Sequence, residues 1–105
     1  MPDLLSLISE ISASSKSYAD ANGIDRTDDW FLLKTGEEFG EMMQAYLRLT
    51  DRARRLDATH VARHAAFSDE VADLLGMALL LVDRFDIDIV PALEKKWRME
   101  LRKTA

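Results

Sequence analysis

Residues 36–46 read Gly36-Glu37-Glu38-Phe39-Gly40-Glu41-Met42-Met43-Gln44-Ala45-Tyr46, three glutamates within five residues of a segment with helical apolar spacing. Like charges four apart on a helix repel by about 0.2–0.5 kcal/mol even when solvated. At about 100° per residue, Glu37, Glu38 and Glu41 share one sector, roughly 100° wide, with Trp30, Lys34 and Ala45. Phe31, Leu32, Phe39, Met42, Met43, Tyr46, Leu47 and Leu49 fill the remaining arc, together with Gly36 and Gly40. Glycine inside a helix costs about 1 kcal/mol against alanine. The four-residue spacing of the two glycines therefore predicts a second helix packed very close on that side.

Working outward, the chain reads as all-α, one domain over residues 1–105, with a bundle-like arrangement of four helices. Leu4, Leu7, Ile8 and Ile11 start the first helix, which runs to about Asn22, where Gly23 supplies a left-handed end. Thr27 is the expected N-cap of the second helix, with Asp28 and Asp29 in its first turn and an end near Arg52. A charged connector, Asp51 to Asp57, follows. The third helix starts between Ala58 and Ser68 and ends near Phe85. Asp88 is the expected cap of a fourth helix running to about Lys103, with Pro91 tolerated in its first turn.

Composition narrows the function classes. The formal net charge is −5, which argues against a protein that coats DNA or RNA, since phosphate binding needs clustered Lys and Arg. The absence of cysteine removes disulfides, thiolate zinc sites and cysteine nucleophiles. The first residues, MPDLLSLISEISASS, lack a basic n-region and an unbroken apolar stretch, so no signal peptide is expected. The longest apolar run, Val71 to Val82, is too short to span a bilayer. The expectation is a cytoplasmic protein with no membrane partner.

That apolar run carries the second oddity. Asp73 is its one polar residue, and Glu70 lies three residues earlier on the same helical face. A helix apolar all round is normally buried. A buried carboxylate needs a partner or takes up a proton. Solvated glutamates on helix two, and an Asp73 bonded to a tyrosine or lysine, are the ordinary reading. Two helices that each offer an i, i+3 acidic pair, Glu38/Glu41 and Glu70/Asp73, allow another: face to face they form a four-carboxylate cage. At 5 Å and an effective dielectric of about 20, each like-charged pair would cost about 3 kcal/mol, which a cation relieves. All-oxygen ligands favour Mg²⁺, Mn²⁺ or Ca²⁺ over zinc.

EEFGE, then 28 residues, then EVAD resembles the EExxE…ExxD signature of the MazG-like all-α nucleoside triphosphate pyrophosphohydrolases. Trp30 and Lys34 before the first motif, DLLGMALLLVDRFDID overlapping and following the second, and the terminal ALEKKW add to the likeness, which spans roughly Trp30 to Trp97. The resemblance implies Mg²⁺-dependent hydrolysis of a (deoxy)nucleoside triphosphate to monophosphate and pyrophosphate, often in nucleotide-pool housecleaning, with Mn²⁺ as a substitute. By position it makes Glu38, Glu41, Glu70 and Asp73 metal ligands. It makes Glu37 a water-orienting residue beside Glu38, and Lys96 a phosphate contact. Lys95 stands where many members have asparagine. A phosphoribosyl-ATP pyrophosphatase lies within the same superfamily.

Other features are weighed against this. His60 and His64 share a helix face, but no HExxH is present and a solvated pair is expected. A ferritin-like di-iron site requires Glu-x-x-His, which none of Glu37, Glu38, Glu41 and Glu70 provides. Arg48, Arg52, Arg54 and Arg55 read as a solvated basic connector. Trp30 suits either base stacking or capping the core. Lys34 lies on the glutamate stripe, suited to substrate or to an ion pair with Glu37, Glu38 or Glu41. Trp97, Leu93 and Leu101 form an expected apolar stripe. The rival of a different class is a non-catalytic helical module with an acidic docking face. An all-round apolar third helix in so short a chain predicts a homo-oligomer, a dimer or a tetramer of dimers, with sites shared between chains.

Overall fold

Local chemistry sets the helix starts. Asp3 opens α1 (Leu4–Asn22): its carboxylate accepts the Ser6 amide at 2.8 Å. Gly23, at φ 65°, closes it by returning its amide to the Ala19 carbonyl. The Thr27 hydroxyl accepts the Trp30 amide at 3.1 Å and starts α2 (Asp28–Leu49). Thr59 does the same through Ala62 for α3 (His60–Arg84). α4 (Ile89–Trp97) follows Asp88, whose side chain makes no capping bond. The structure is a computed structural model that describes residues 3–53 and 58–100. All four helices expected from the sequence are present, and no strand occurs among the described residues.

Two ends differ from expectation. α2 stops at Leu49 rather than near Arg52, because Asp51 enters the left-handed region at φ 61°. α4 stops at Trp97, where Arg98 turns left-handed at φ 52°. Leu101 and Lys103, and Arg54 and Arg55 of the connector, lie outside the described residues.

Packing is concentrated in two pairs, α2 against α3 and α1 against α3. Phe31 of α2 meets Met77 and Leu80 of α3, with Ile11, Trp30 and Leu81 packed around them. Arg84 joins the far ends of the pair through Asp28 at 2.8 Å. Arg63, buried near the start of α3, donates to the Ala58 carbonyl and lies 3.4 Å from Asp51. Among the described residues no large side chain is fully enclosed. The radius of gyration, 16.3 Å, exceeds the ~13 Å of a compact chain of about 100 residues.

The rotation of α2 corrects the sequence reading. The apolar arc was expected to face a neighbouring helix closely at Gly36 and Gly40. Instead Phe31, Glu38 and Ala45 turn toward α3, at the boundary between the acidic and apolar sectors. Nothing lies within 4 Å of a Cβ built at either glycine, and Leu32, Phe39 and Met43 are exposed. Nor is α3 buried all round: Val71, Asp73 and Leu75 are exposed, because α2 and α1 cover only part of its circumference. Trp97 is 74 % exposed and forms no buried stripe.

Candidate metal and nucleotide site

The α2–α3 seam brings the two acidic motifs together. One carboxylate oxygen each from Glu38, Glu70 and Asp73 lies within 4.8 Å of the others, and so does one each from Glu37, Glu38 and Glu41. Glu38 belongs to both groups. It sits on the strip of α2 turned to α3, between Phe31 and Ala45, and Glu70 and Met77 share the answering strip of α3. Glu38 and Glu70 are half-buried, whereas Glu37, Glu41 and Asp73 reach solvent.

Electrostatics make the centre unusual. Glu38 Oε2 and Glu70 Oε2 are hidden from water and have no hydrogen-bond partner. Burial raises the pKa of Glu38 above the ordinary glutamate value, and the charges of Glu41 and then Asp73 raise it further. Glu70 is raised by the same causes in the same order. Lys34 offsets this only in part: its Nζ is 3.3 Å from Glu37 and 3.9 Å from Glu38. Orphaned acceptors beside further carboxylates could hold a hard cation, and the all-oxygen donor set does not distinguish Mg²⁺, Mn²⁺ and Ca²⁺.

A groove of about 550 Å³ opens beside these acids. α1 lines it with Ile11, Ser14, Ser15 and Tyr18, α2 with Trp30, Lys34 and Glu38, and α3 with Asp73, Gly76, Met77 and Leu80. Trp30 packs on the core and also faces the groove. Its ring meets Phe31 edge-on at 5.0 Å and also walls the groove. Arg26 ties the groove's rim together, donating to Ser15 at 3.1 Å and lying over the Phe31 ring at 5.3 Å.

The structure thus gathers Glu37, Glu38, Glu41, Glu70, Asp73, Lys34 and Trp30 in one region. Lys96 is exposed on α4 and is not part of the groove lining. His60 and His64 are exposed on α3. Sequence reasoning missed Ser14, Ser15 and Tyr18. The serine run of α1 signals only a weak helix former, and nothing in it marks which hydroxyls turn toward α2. No helix among the described residues is long and apolar enough to cross a membrane. Compared with known proteins, the chain matches no family model, no curated protein and no solved structure.

Proposed function

We propose that this chain is a metal-dependent pyrophosphohydrolase of the MazG-like all-α type. It hydrolyses (deoxy)nucleoside triphosphates to monophosphate and pyrophosphate in a housecleaning role in the cytoplasm, as a homo-oligomer. The observation that carries the reading is the pair of hidden, partnerless oxygens on Glu38 and Glu70 inside a carboxylate cluster, of which Glu38 and Asp73 also line a groove that Trp30 walls.

In this reading Glu38, Glu41, Glu70 and Asp73 would hold Mg²⁺, or Mn²⁺ in its place. Bound metal neutralises phosphate charge and lowers the pKa of a coordinated water. The protein's own groups do the rest. Glu37, solvent-exposed and ion-paired to Lys34, orients the attacking water beside Glu38. Lys34 swings from that carboxylate to a phosphate oxygen. Trp30 stacks on the base, with the α1 hydroxyls near the sugar or base edge. Lys96 meets the phosphate tail, which requires α4 to approach the groove.

The test is a nucleotide panel with Mg²⁺, measuring pyrophosphate and monophosphate separately. Pyrophosphate release in step with monophosphate is expected. Orthophosphate as the primary product, or no turnover on any common or damaged nucleotide, overturns the assignment. The hidden oxygens favour this reading over the rival docking face, since a surface that recruits a basic partner has no need of desolvated carboxylates.

A further inference from the structure

We infer that Lys34 is a built-in counter-ion that exchanges places with the metal: it pairs with the carboxylate cluster while no cation is held there, and is released toward a polyphosphate in the groove when one is. This rests on the metal and nucleotide reading proposed above and adds to it a coupling between the two ligands.

Five acids, Glu37, Glu38, Glu41, Glu70 and Asp73, crowd the seam. Among the described residues Lys34 is the cation paired with them, and the other ion pairs lie elsewhere. Its Nζ stands 3.3 Å from Glu37 Oε1 and 3.9 Å from Glu38 Oε1. The second oxygen of Glu38, Oε2, is hidden and has no partner. Glu38 is thus divided, one oxygen toward the ammonium and one left over. Lys34 also lines the groove, together with Trp30, Asp73 and Gly76. One side chain therefore belongs both to the acid cluster and to the groove.

The ordinary role for such a lysine is a helix-stabilising ion pair, and three features argue against it. Lys34 precedes its glutamates along α2, which is the less favourable order for a pair four apart. Both contacts are longer than the 2.7–2.9 Å of a strong charge-assisted bond. A third of the Lys34 side chain is exposed, and solvent-screened pairs hold weakly. An ammonium held this way on a flexible four-carbon stem is easily displaced. With a divalent cation among the carboxylates, Lys34 loses its attraction to the cluster and meets repulsion instead. The groove that it already lines receives it, and an anionic tail there gains a positive charge that was engaged elsewhere. Coupling of this kind is reciprocal: a polyphosphate that keeps Lys34 in the groove leaves the cluster freer to take the cation.

The test is calorimetric titration of the full chain, first with Mg²⁺ alone and then with inorganic tripolyphosphate at saturating Mg²⁺. Lys34→Met keeps the stem and removes the charge, and Lys34→Arg keeps the charge. Lys34→Met should bind Mg²⁺ about three- to tenfold more tightly than the parent. The same variant should bind tripolyphosphate about tenfold more weakly, and Lys34→Arg should stay near the parent in both. Opposite signs in one variant are not produced by a packing defect, which weakens both. Where Lys34→Met fails to fold, the parent supplies a second measurement: the NMR signal of the Lys34 side chain should shift on adding Mg²⁺ and again on adding tripolyphosphate. A parent that binds Mg²⁺ with the same affinity as Lys34→Met, a variant that weakens both ligands, unchanged tripolyphosphate binding, or an unmoved Lys34 signal overturns this coupling alone. A parent that binds no Mg²⁺ overturns the metal reading, and the coupling with it.

Discussion

Glu70→Gln isolates the stored repulsion of the carboxylate cluster. Oxygens of Glu38, Glu70 and Asp73 lie within 4.8 Å of one another. At that distance and an effective dielectric of about 20, a like-charged pair costs about 3 kcal/mol. Solvent at the exposed Asp73 reduces its share to about 1 kcal/mol or less. The net gain on removing the Glu70 charge is about 1–2 kcal/mol in metal-free protein. The new amide also donates to a neighbouring carboxylate, so the substitution leaves no fresh donor unsatisfied. For a domain of this size each kcal/mol moves the melting temperature by about 4–8 °C. Scanning calorimetry in chelator should therefore show Glu70→Gln melting about 5–10 °C above the parent. Titrated Mg²⁺ should raise the parent saturably and the variant little, since a native-state ligand stabilises by mass action. Both proteins are compared at one concentration, because any self-association would also shift the midpoint. A metal-free variant that melts lower than the parent, or one that keeps the full Mg²⁺ response, refutes the cage.

Asp73→Asn should behave similarly with a smaller gain, and should lose pyrophosphate release; intact turnover removes Asp73 from the ligand set. The pH dependence has a definite sign. Glu38 and Glu70 carry pKa values raised above the ordinary 4.5, so the folded state binds more protons than the unfolded one above that value. Their contribution is fully present below pH 4.5 and is lost as pH rises through the folded values, and saturating Mg²⁺ should abolish the fall; urea melts across that window in which these two glutamates contribute the opposite slope, judged against the Glu38→Gln/Glu70→Gln double variant, contradict the shifts. Lys34→Ala should raise KM for nucleotide more than it lowers kcat, read from initial rates. Gly23→Ala should cost about 1 kcal/mol in denaturant melts, although nothing crowds its Cβ, because φ 65° disfavours any residue with one.

Helix existence was legible because caps and periodicity agree: Thr27, Gly23 and the apolar spacing of α1 each point to the element observed. The meeting of Glu38 with Glu70 and Asp73 was one of two arrangements the i, i+3 spacing allowed, solvated acids being the other, and the structure brings them together. What the sequence hid was rotation. Residues from Phe39 to Leu47 are apolar enough to be a core face, yet the seam runs through Phe31, Glu38 and Ala45. Helix phase is a tertiary choice, decided by which pairing buries Phe31, Met77 and Leu80 together. The end of α4 was hidden for a related reason: LEKKW continues a helical pattern, and nothing in it announces the left-handed Arg98.

Because the carboxylates and the apolar stripe occupy different sides of one helix, α2 is bound to a fixed angular phase. Substitutions along it change one side at a time. Adding or deleting a single residue between Glu38 and Met43 would turn everything beyond by about 100°, swinging Ala45 out of the seam and scrambling both sides at once. Length variation among descendants of this sequence should therefore collect between the end of α2 at Leu49 and the start of α3 at His60, and spare the two helices themselves.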